Sequence, residues 1–262
     1  MKRLLDKLSN SIQPEMIEFQ KVFKESLNSD VKLINKVIGY ISRKKGKQLR
    51  PRLFLLSAKM CGDLTSLTYS AAALIEMIHV ATLIHDDVVD EADLRRGWPS
   101  VNRIWKNKIS ILVGDFMFSK ALSNMVKLRN FDALEILSKT AERLSQGEIL
   151  QIEKDLKKDM TEKIYYRMVG DKTASLFSAS CEIGAIISNA SIEKQQAMSN
   201  FGEKLGVAFQ IRDDLFDIMG TVDAIGKPVA FDVKKNMLTL PLIHMFEKVD
   251  NNEKKLLQQK LR

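Results

Sequence analysis

Six aspartates in two clusters are the residues of this chain best suited to chemistry. They are Asp86, Asp87, Asp90, Asp213, Asp214 and Asp217. Each cluster has the pattern DDxxD and closes an apolar, helix-like run. Because residues four apart share one face of a helix, Asp86 and Asp90 are predicted to project together. The repetition predicts two acidic rims that face one cavity.

Acidic residues at a helix end are usually only a solvated terminus, so a single DDxxD would mean little. Negative charge at a helix C-terminus also opposes the helix dipole, and stability alone therefore does not explain the motif. Two close carboxylates repel by roughly 1 kcal/mol in water and by about 4 kcal/mol at an effective dielectric of 20. The paired motifs therefore predict a cation between them.

The ligand types favour Mg²⁺ as that cation. The chain has three His and two Cys, and only one of these, His85, adjoins an aspartate cluster, which argues against a Zn²⁺ site built from several His or Cys ligands. Mg²⁺ prefers one or two carboxylates with waters and phosphate oxygens. Since carboxylates do not bind phosphates unaided, we infer that Mg²⁺ bridges the aspartates to a phosphorylated ligand.

Cationic residues accompany the first motif. Lys47 and Arg50 belong to a basic segment before a helix predicted to open at Pro51, and helix N-termini attract anions. A basic loop is, however, often only a solvated surface. His79 lies two turns before Asp86, where it is either a satisfied core residue or a hydrogen-bond donor to a ligand.

Three further cations are candidate anion-binding residues. Arg95 and Arg96 follow the first motif and form either surface ion pairs, each contributing under about 1 kcal/mol, or a bidentate phosphate clamp. Lys172 precedes small and hydroxyl residues on an apolar helix. A buried ammonium there needs an anionic partner.

Helices must position these residues. The 262 residues include only 12 Gly and 5 Pro, which predicts a nearly all-α fold in one domain spanning 1–262. Cys61 and Cys181 form no metal or redox pattern, which is typical of a cytoplasmic protein. We see no signal peptide and no apolar run near the roughly 20 residues that span a bilayer. The net charge of +8 suits an anionic ligand, nucleic acid or a membrane surface.

The order of the motifs resembles the trans-isoprenyl diphosphate synthases, the polyprenyl synthetase family. The segments that carry the likeness are GKQLRP, EMIHVATLIHDDVVDEADLRRG, GDFMFSKA, DKTASLFSAS, GVAFQIRDDLFDI and GKPVAFDVKKNMLTLPL. The likeness covers roughly residues 46–242. One departure is Asn236-Met237 before Thr-Leu-Pro, where the family commonly has Gly-Lys, so a lysine expected near the second motif is missing.

The resemblance implies an isoprenoid synthase type I fold of antiparallel helices around a central cavity, in a homodimer. It implies that an allylic diphosphate is ionised and that isopentenyl diphosphate attacks the carbocation, with about three Mg²⁺ per active site. It also implies residue roles. Asp86, Asp90 and Asp213 resemble the main Mg²⁺ ligands, supported by Asp87, Asp214 and Asp217; Arg95, Lys172 and Lys227 resemble the allylic diphosphate clamp; Lys47, Arg50, His79 and Arg96 resemble the isopentenyl diphosphate site; Thr173 and Gln210 match positions facing the carbocation.

Small residues beneath the first motif bear on product length. Ala81 lies roughly 7 Å below the metal rim at a rise of about 1.5 Å per residue, and Thr82 is beside it. No large aromatic blocks a growing chain there, as in longer-chain members of the family. We therefore expect a product longer than C15, with a short-chain C15–C20 synthase as the alternative. A lipophilic product favours peripheral membrane contact for its release.

Three other functions compete. A class I terpene cyclase shares the fold, but it usually has one DDxxD and lacks a second diphosphate site. A non-catalytic subunit of a heteromeric synthase usually loses an aspartate motif, and both are intact here. A nucleic-acid binder would use the net positive charge, but it leaves the acidic clusters unexplained and lacks interleaved aromatic and basic residues. We therefore expect no nucleic-acid partner.

Overall fold

Helices make up most of the protein, as predicted. The computed structural model describes residues 10–43, 46–95, 97–219, 237–250 and 253. Along these residues the elements are α1 Gln13–Ser26, α2 Lys32–Arg43, α3 Leu49–Cys61, α4 Ser66–Val89, β1 Leu94–Arg95, β2 Trp98–Pro99, α5 Val101–Leu128, α6 Phe131–Lys157, α7 Glu162–Val169, a π-helical turn Gly170–Ala174, α8 Ser175–Ile187, α9 Ile192–Met219 and α10 Leu240–Lys248. The all-α prediction is confirmed.

Three local features differ from the sequence-based expectation. Helix α3 begins at Leu49, two residues before Pro51, because proline is tolerated within the first turn of a helix. A short antiparallel pair, β1 and β2, follows the first aspartate motif and turns at Gly97, whose φ is +76°. A second helix is predicted to begin at Asp171, but α7 instead continues into α8 through the π-turn, residues Gly170–Ala174.

The chain divides into two compact units. The first contains the described residues within Met1–Lys139 and Leu176–Gly202. In it, α4 packs against α1, α3 and α5, and α2 packs against α5. Helix α4 can be a core element because its middle is apolar and small. Its buried hydrophobic residues are Ala71, Ala72, Ala73, Leu74, Ile75, Met77, Ile78, Ala81 and Ile84.

The second unit contains the described residues within Thr140–Ser175 and Glu203–Arg262. Its core centres on α7 and the start of α10. The buried residues there are Met160, Tyr165, Met168, Val169 and Ile243, with Leu150, Ile164, Val207, Ile211, Leu238 and Leu240 packed against them. This cluster is the apolar floor beneath the second aspartate motif.

Two of the described helices, α4 and α5, are long and apolar enough to cross a membrane by length and composition alone. The expectation that no apolar run approaches bilayer length is therefore corrected for these two helices. Most of the apolar window of α4 is buried inside the protein, and the core helix of a water-soluble protein meets the same criteria.

Candidate active site

The first aspartate motif forms the C-terminal end of α4, and its backbone closes in a Schellman motif. The Ala92 N–H donates to the Asp87 carbonyl at 2.9 Å and the Glu91 N–H to the Val88 carbonyl at 3.3 Å. Glu91 has the left-handed φ of +50° that such a cap requires. The helix therefore stops within the motif, which leaves Asp90 exposed and Asp86 half-buried.

Asp87, in contrast, is buried and hydrogen-bonded to other residues of the protein. Its side chain is 3% exposed, and Arg95 Nε donates to Asp87 Oδ1 at 2.6 Å. Asn102 Nδ2 donates to the Asp87 carbonyl at 3.2 Å. The structure thus brings Arg95 onto the first motif through Asp87, whereas Arg96 lies outside the described residues.

Arg50 and His79, two residues of the predicted isopentenyl diphosphate site, are in contact. Arg50 Nη1 donates to His79 Nε2 at 3.0 Å, and the Arg50 guanidinium lies 4.7 Å from the centre of the Phe177 ring. Stacking on a ring and a fixed hydrogen bond both hold a guanidinium plane in one orientation. Lys47 is exposed just before α3, so these three residues surround the start of that helix.

Ala81 and Thr82, the predicted product-length residues, differ in exposure. Ala81 is completely buried in the first unit. Thr82 is half-buried, and its hydroxyl donates to the His79 carbonyl at 2.8 Å. That bond satisfies the hydroxyl within the helix and leaves the threonine methyl as the apolar part of its surface.

The second aspartate motif lies near the end of α9, in the second unit. Asp213 is exposed, and Asp214 and Asp217 are buried. Asp214 accepts a hydrogen bond from the Tyr165 hydroxyl, and Gln210 Nε2 donates to its other oxygen at 2.8 Å. Burial raises the pKa of Asp214; its bonds to Tyr165 and Gln210 oppose the rise, and the neighbouring carboxylates add to it.

Lys172, Thr173 and Gln210 meet beside this motif. Thr173 Oγ1 donates to Gln210 Oε1 at 2.9 Å. Lys172 Nζ donates to Gln151 Oε1 at 2.8 Å and pairs with Glu148 Oε2 at 2.5 Å. The anionic partner predicted for Lys172 is therefore Glu148.

These residues line one cavity of about 250 Å³. The polar lining gathers cation, hydroxyl, amide and carboxylate groups, and methionine, aliphatic and aromatic side chains form the apolar part. The lining residues are Gln151, Asp155, Met160, Tyr165, Met168, Val169, Lys172, Thr173, Gln210, Asp213, Asp214, Phe216, Asp217, Met237, Leu238 and Thr239. Met237, which stands where the family commonly has a lysine, is thus a wall of this cavity.

Sequence reasoning missed three residues of this cavity region. Tyr165, Glu148 and Gln151 bond the predicted residues from 21 to 49 positions away in sequence. A signal existed for Glu148 and Gln151, which are three apart on α6 and follow Gly147, where the helix lacks a side chain. Lys227, Lys234 and Lys235 lie outside the described residues.

The donor set fits Mg²⁺ in type. The motif carboxylates supply oxygen ligands only, which Mg²⁺ prefers. Among the described residues, no three His, Cys, Asp or Glu side chains already lie close enough together to hold an ion. Mg²⁺ usually keeps waters and substrate phosphates as ligands, so Asp86 and Asp90 fit a site that the substrate completes.

Comparison with known proteins gives one consistent picture. The family model described as polyprenyl synthetase matches residues 31–262. The chain is 38% identical over 240 residues to octaprenyl diphosphate synthase of Escherichia coli, covering 92% of this chain and 74% of that one. It is 35% identical over 252 residues to an all-trans-nonaprenyl-diphosphate synthase (geranyl-diphosphate specific) of Rhodobacter capsulatus, covering 95% and 77%.

Solved structures agree with the sequence matches. A decaprenyl diphosphate synthase from Rhodobacter capsulatus has a TM-score of 0.92 at 37% identity, covering 97% of this chain and 78% of that one. A polyprenyl synthase from Caulobacter crescentus, complexed with calcium and isoprenyl diphosphate, also has a TM-score of 0.92, at 32% identity, covering 98% and 78%. The predicted isoprenoid synthase fold is confirmed.

Proposed function

Since the chain belongs to the polyprenyl synthetase family, we propose that it is a prenyltransferase that joins isopentenyl diphosphate to an allylic diphosphate and so extends a trans-polyprenyl chain. The observation that carries this proposal is the cavity of the second unit. There, Lys172, Thr173 and Gln210 lie beside Asp213 and Asp214 over an apolar floor. Such a lining suits a diphosphate head that is attached to a hydrocarbon tail.

In this proposal both aspartate motifs bind Mg²⁺. Enzymes of this family depend on Mg²⁺ in general. Asp86, Asp90 and Asp213 are the proposed main ligands of about three ions, because they are the more accessible members of their motifs. Bound Mg²⁺ would neutralise charge that develops on the diphosphate. Asp87, Asp214 and Asp217 are buried and support the others.

The allylic diphosphate is proposed to bind Arg95, Lys172 and Lys227. Fixed cations stabilise the diphosphate as its bond to carbon breaks, and they do so most strongly where water is excluded. Thr173 Oγ1 and Gln210 Oε1 already share a hydrogen bond. Two fixed oxygens of this kind direct their dipoles at the carbocation without attacking it.

Isopentenyl diphosphate is proposed to bind Lys47, Arg50, His79 and Arg96. The hydrogen bond between Arg50 and His79 supports this assignment, because it holds the guanidinium and the imidazole ring in one fixed arrangement. The final proton of the reaction goes to the released diphosphate. No side chain of the site then needs to act as a base, and His79 serves only in binding.

The proposed product is longer than C15. The relatives that support this are named octaprenyl, nonaprenyl and decaprenyl diphosphate synthases. The names of others specify geranylgeranyl diphosphate, so a C20 product is the alternative within the family. Ala81 and Thr82 are the proposed length-setting residues of α4, since neither presents a ring to a growing chain.

The assembly proposed is a cytoplasmic homodimer of single-domain chains, with peripheral membrane contact when product leaves. Helix α5 supports the dimer because it exposes a row of large apolar side chains. These are Ile111, Leu112, Leu122 and Val126, which share one face of the helix after its kink at Lys106. A row of this kind is typical of an interface between proteins.

Incubation with labelled isopentenyl diphosphate, farnesyl diphosphate and Mg²⁺, followed by sizing of the products, tests the proposed function. We expect prenyl diphosphates longer than C15 that require both substrates and the metal. A terpene cyclase would instead consume farnesyl diphosphate without isopentenyl diphosphate. That result, or the absence of any diphosphate release, would contradict the proposal.

A further inference from the structure

The π-turn that carries Lys172 and Thr173 is held by a charged network that family resemblance does not assign. In the π-turn, the Ser175 N–H bonds the Gly170 carbonyl five residues earlier, instead of the usual four. Single π-turns are rare and are frequently found at functional sites. Here the wider turn sets the directions of two consecutive side chains that line the cavity.

Arg143, on α6, binds this turn at two places and α9 at a third. Its Nη2 donates to the Gly170 carbonyl at 3.0 Å, the same oxygen that accepts the π-helical hydrogen bond. Its Nε donates to Asp171 Oδ1 at 2.8 Å. Nη2 also pairs with Glu203 Oε1 at 2.8 Å, which ties the turn to α9. One guanidinium fork therefore joins α6, the π-turn and α9 within the second unit.

Helix α6 contacts the π-turn along one face, from Arg143 to Gln151. Residues 143, 147 and 151 are spaced by four along one helical face, and residue 148 lies three before residue 151. Gly147 lets the backbone of α6 pack directly against that of the π-turn, because a Cβ at Gly147 would lie only 2.5 Å from the backbone nitrogen of Lys172. Glu148 and Gln151 then bind the Lys172 ammonium.

We infer that Arg143 is a positioning residue for diphosphate binding, because it fixes the π-turn that aims Lys172 and Thr173 into the cavity. The inference rests on the proposed function, since it names the turn as the support of the allylic diphosphate site. An exposed ion pair alone contributes little to stability. The distinctive role of Arg143 is geometric, because its fork bonds a backbone carbonyl and two carboxylates on different segments.

The test compares Arg143→Met, which keeps an unbranched apolar stem but removes the guanidinium fork, with Arg167→Met. Arg167 is the matched control: it lies on α7 at 4.0 Å from Asp171 and is 69% exposed. We expect Arg143→Met to raise the KM for the allylic diphosphate about tenfold while the KM for isopentenyl diphosphate stays within about twofold. Arg143→Lys should restore part of the loss, and Arg167→Met should behave as wild type.

A merely structural role would give a different result. It would lower the active fraction, and hence kcat, without separating the two KM values. In a Lys172→Ala background, Arg143→Met should add less than about twofold, because the group that it positions is gone. Equal changes in both KM values, or full additivity with Lys172→Ala, would overturn the inference.

Calorimetric binding of inorganic diphosphate with Mg²⁺ separates this inference from the proposed function. Wild type should bind the anion more tightly than Arg143→Met, and the difference should vanish in the Lys172→Ala background. We expect this difference in diphosphate binding whether or not the product assay shows chain elongation. A lack of elongation would contradict only the proposed function. An affinity unchanged by Arg143→Met would overturn the inference whatever the product assay shows.

Discussion

The first two aspartates of each motif share one pattern of burial, although the motifs lie in different units, whereas the third is exposed in the first motif and buried in the second. In each, the second aspartate is 3% exposed and accepts hydrogen bonds from protein donors: Asp87 from Arg95, and Asp214 from Tyr165 and Gln210. The first aspartate of each motif is more accessible. The buried second aspartates therefore hold neighbouring side chains in place, and the more accessible first aspartates are the proposed ligands of an ion.

Tyr165→Phe should destabilise the second unit. The Tyr165 side chain is completely buried and its hydroxyl donates to Asp214, so its loss leaves a buried carboxyl with one partner fewer. We expect the free energy of unfolding to fall by about 1–3 kcal/mol. The control is Tyr166→Phe, whose side chain is 40% exposed, with a loss under about 0.5 kcal/mol. Denaturant unfolding measures both, and equal losses would contradict the role of the buried hydroxyl.

The two cysteines should differ in reactivity. Burial raises the pKa of Cys181 to about 11, and a hydrogen bond with Ser57 opposes the rise only in part. Because the thiolate is the reactive form, about 0.1% of this thiol is ionised at pH 8. We expect a thiol reagent at pH 8 to titrate only Cys61 in the native protein and both cysteines after unfolding.

The raised pKa of Cys181 also makes the free energy of unfolding depend on pH. Folding favours the neutral Cys181 thiol, so its contribution is fully present below the ordinary pKa of 9.0 and is lost as the pH rises towards about 11. Cys181→Ser should abolish this part of the alkaline decrease in unfolding free energy. Rapid labelling of Cys181 in the native protein at pH 8 would contradict the burial of this thiol.

At the scale of elements, periodicity predicted the helices but not their interruptions. Apolar spacing located α4 and α9 and the acidic motifs at or near their ends, because both signals are local in sequence. The π-turn has no sequence period of its own and depends on Arg143 and Gly147 of α6. Tyr165 and Glu148 were missed for the same reason, since their partners are set by packing between helices.

Close helix contacts in the first unit give a prediction with opposite signs at two glycines. A Cβ at Gly184 of α8 would lie 2.7 Å from the Phe54 carbonyl of α3, which is backbone and cannot move aside. Gly184→Ala should therefore cost about 1–3 kcal/mol. Gly39→Ala on α2 meets only the end of Arg43 at 4.0 Å and should stabilise by about 0.5–1 kcal/mol. Thermal unfolding checks both, and the same sign for both would contradict the packing described.

At the scale of the whole molecule, the family and the all-α class could be predicted from the sequence. The homodimer interface is instead proposed from the exposed apolar row of α5. Motif order is enough to identify the family because the reaction requires two diphosphate sites and their ion. The exposed row on α5 is invisible to motif reasoning, since it only appears once neighbouring helices have covered the other faces.

The dimer gives a prediction at this scale. Leu122→Glu with Val126→Glu places two charges in the exposed apolar row of α5. We expect this variant to sediment as a monomer and wild type as a dimer, because burying unpaired charges in an interface is costly. The control Ile17→Glu changes an exposed apolar residue of α1 and should remain dimeric. Dimers of the α5 variant, or a monomeric wild type, would contradict the proposed interface.

The most direct test of the central claim is a crystal structure with Mn²⁺ in place of Mg²⁺ and an unreactive thio analogue of an allylic diphosphate. Anomalous scattering then locates each ion independently of the protein. We predict ions bound by Asp86 and Asp90 and by Asp213, all contacting the oxygens of one diphosphate, with Lys172 on the same group. Ions absent from either motif, or two motifs that hold separate ligands, would contradict the account.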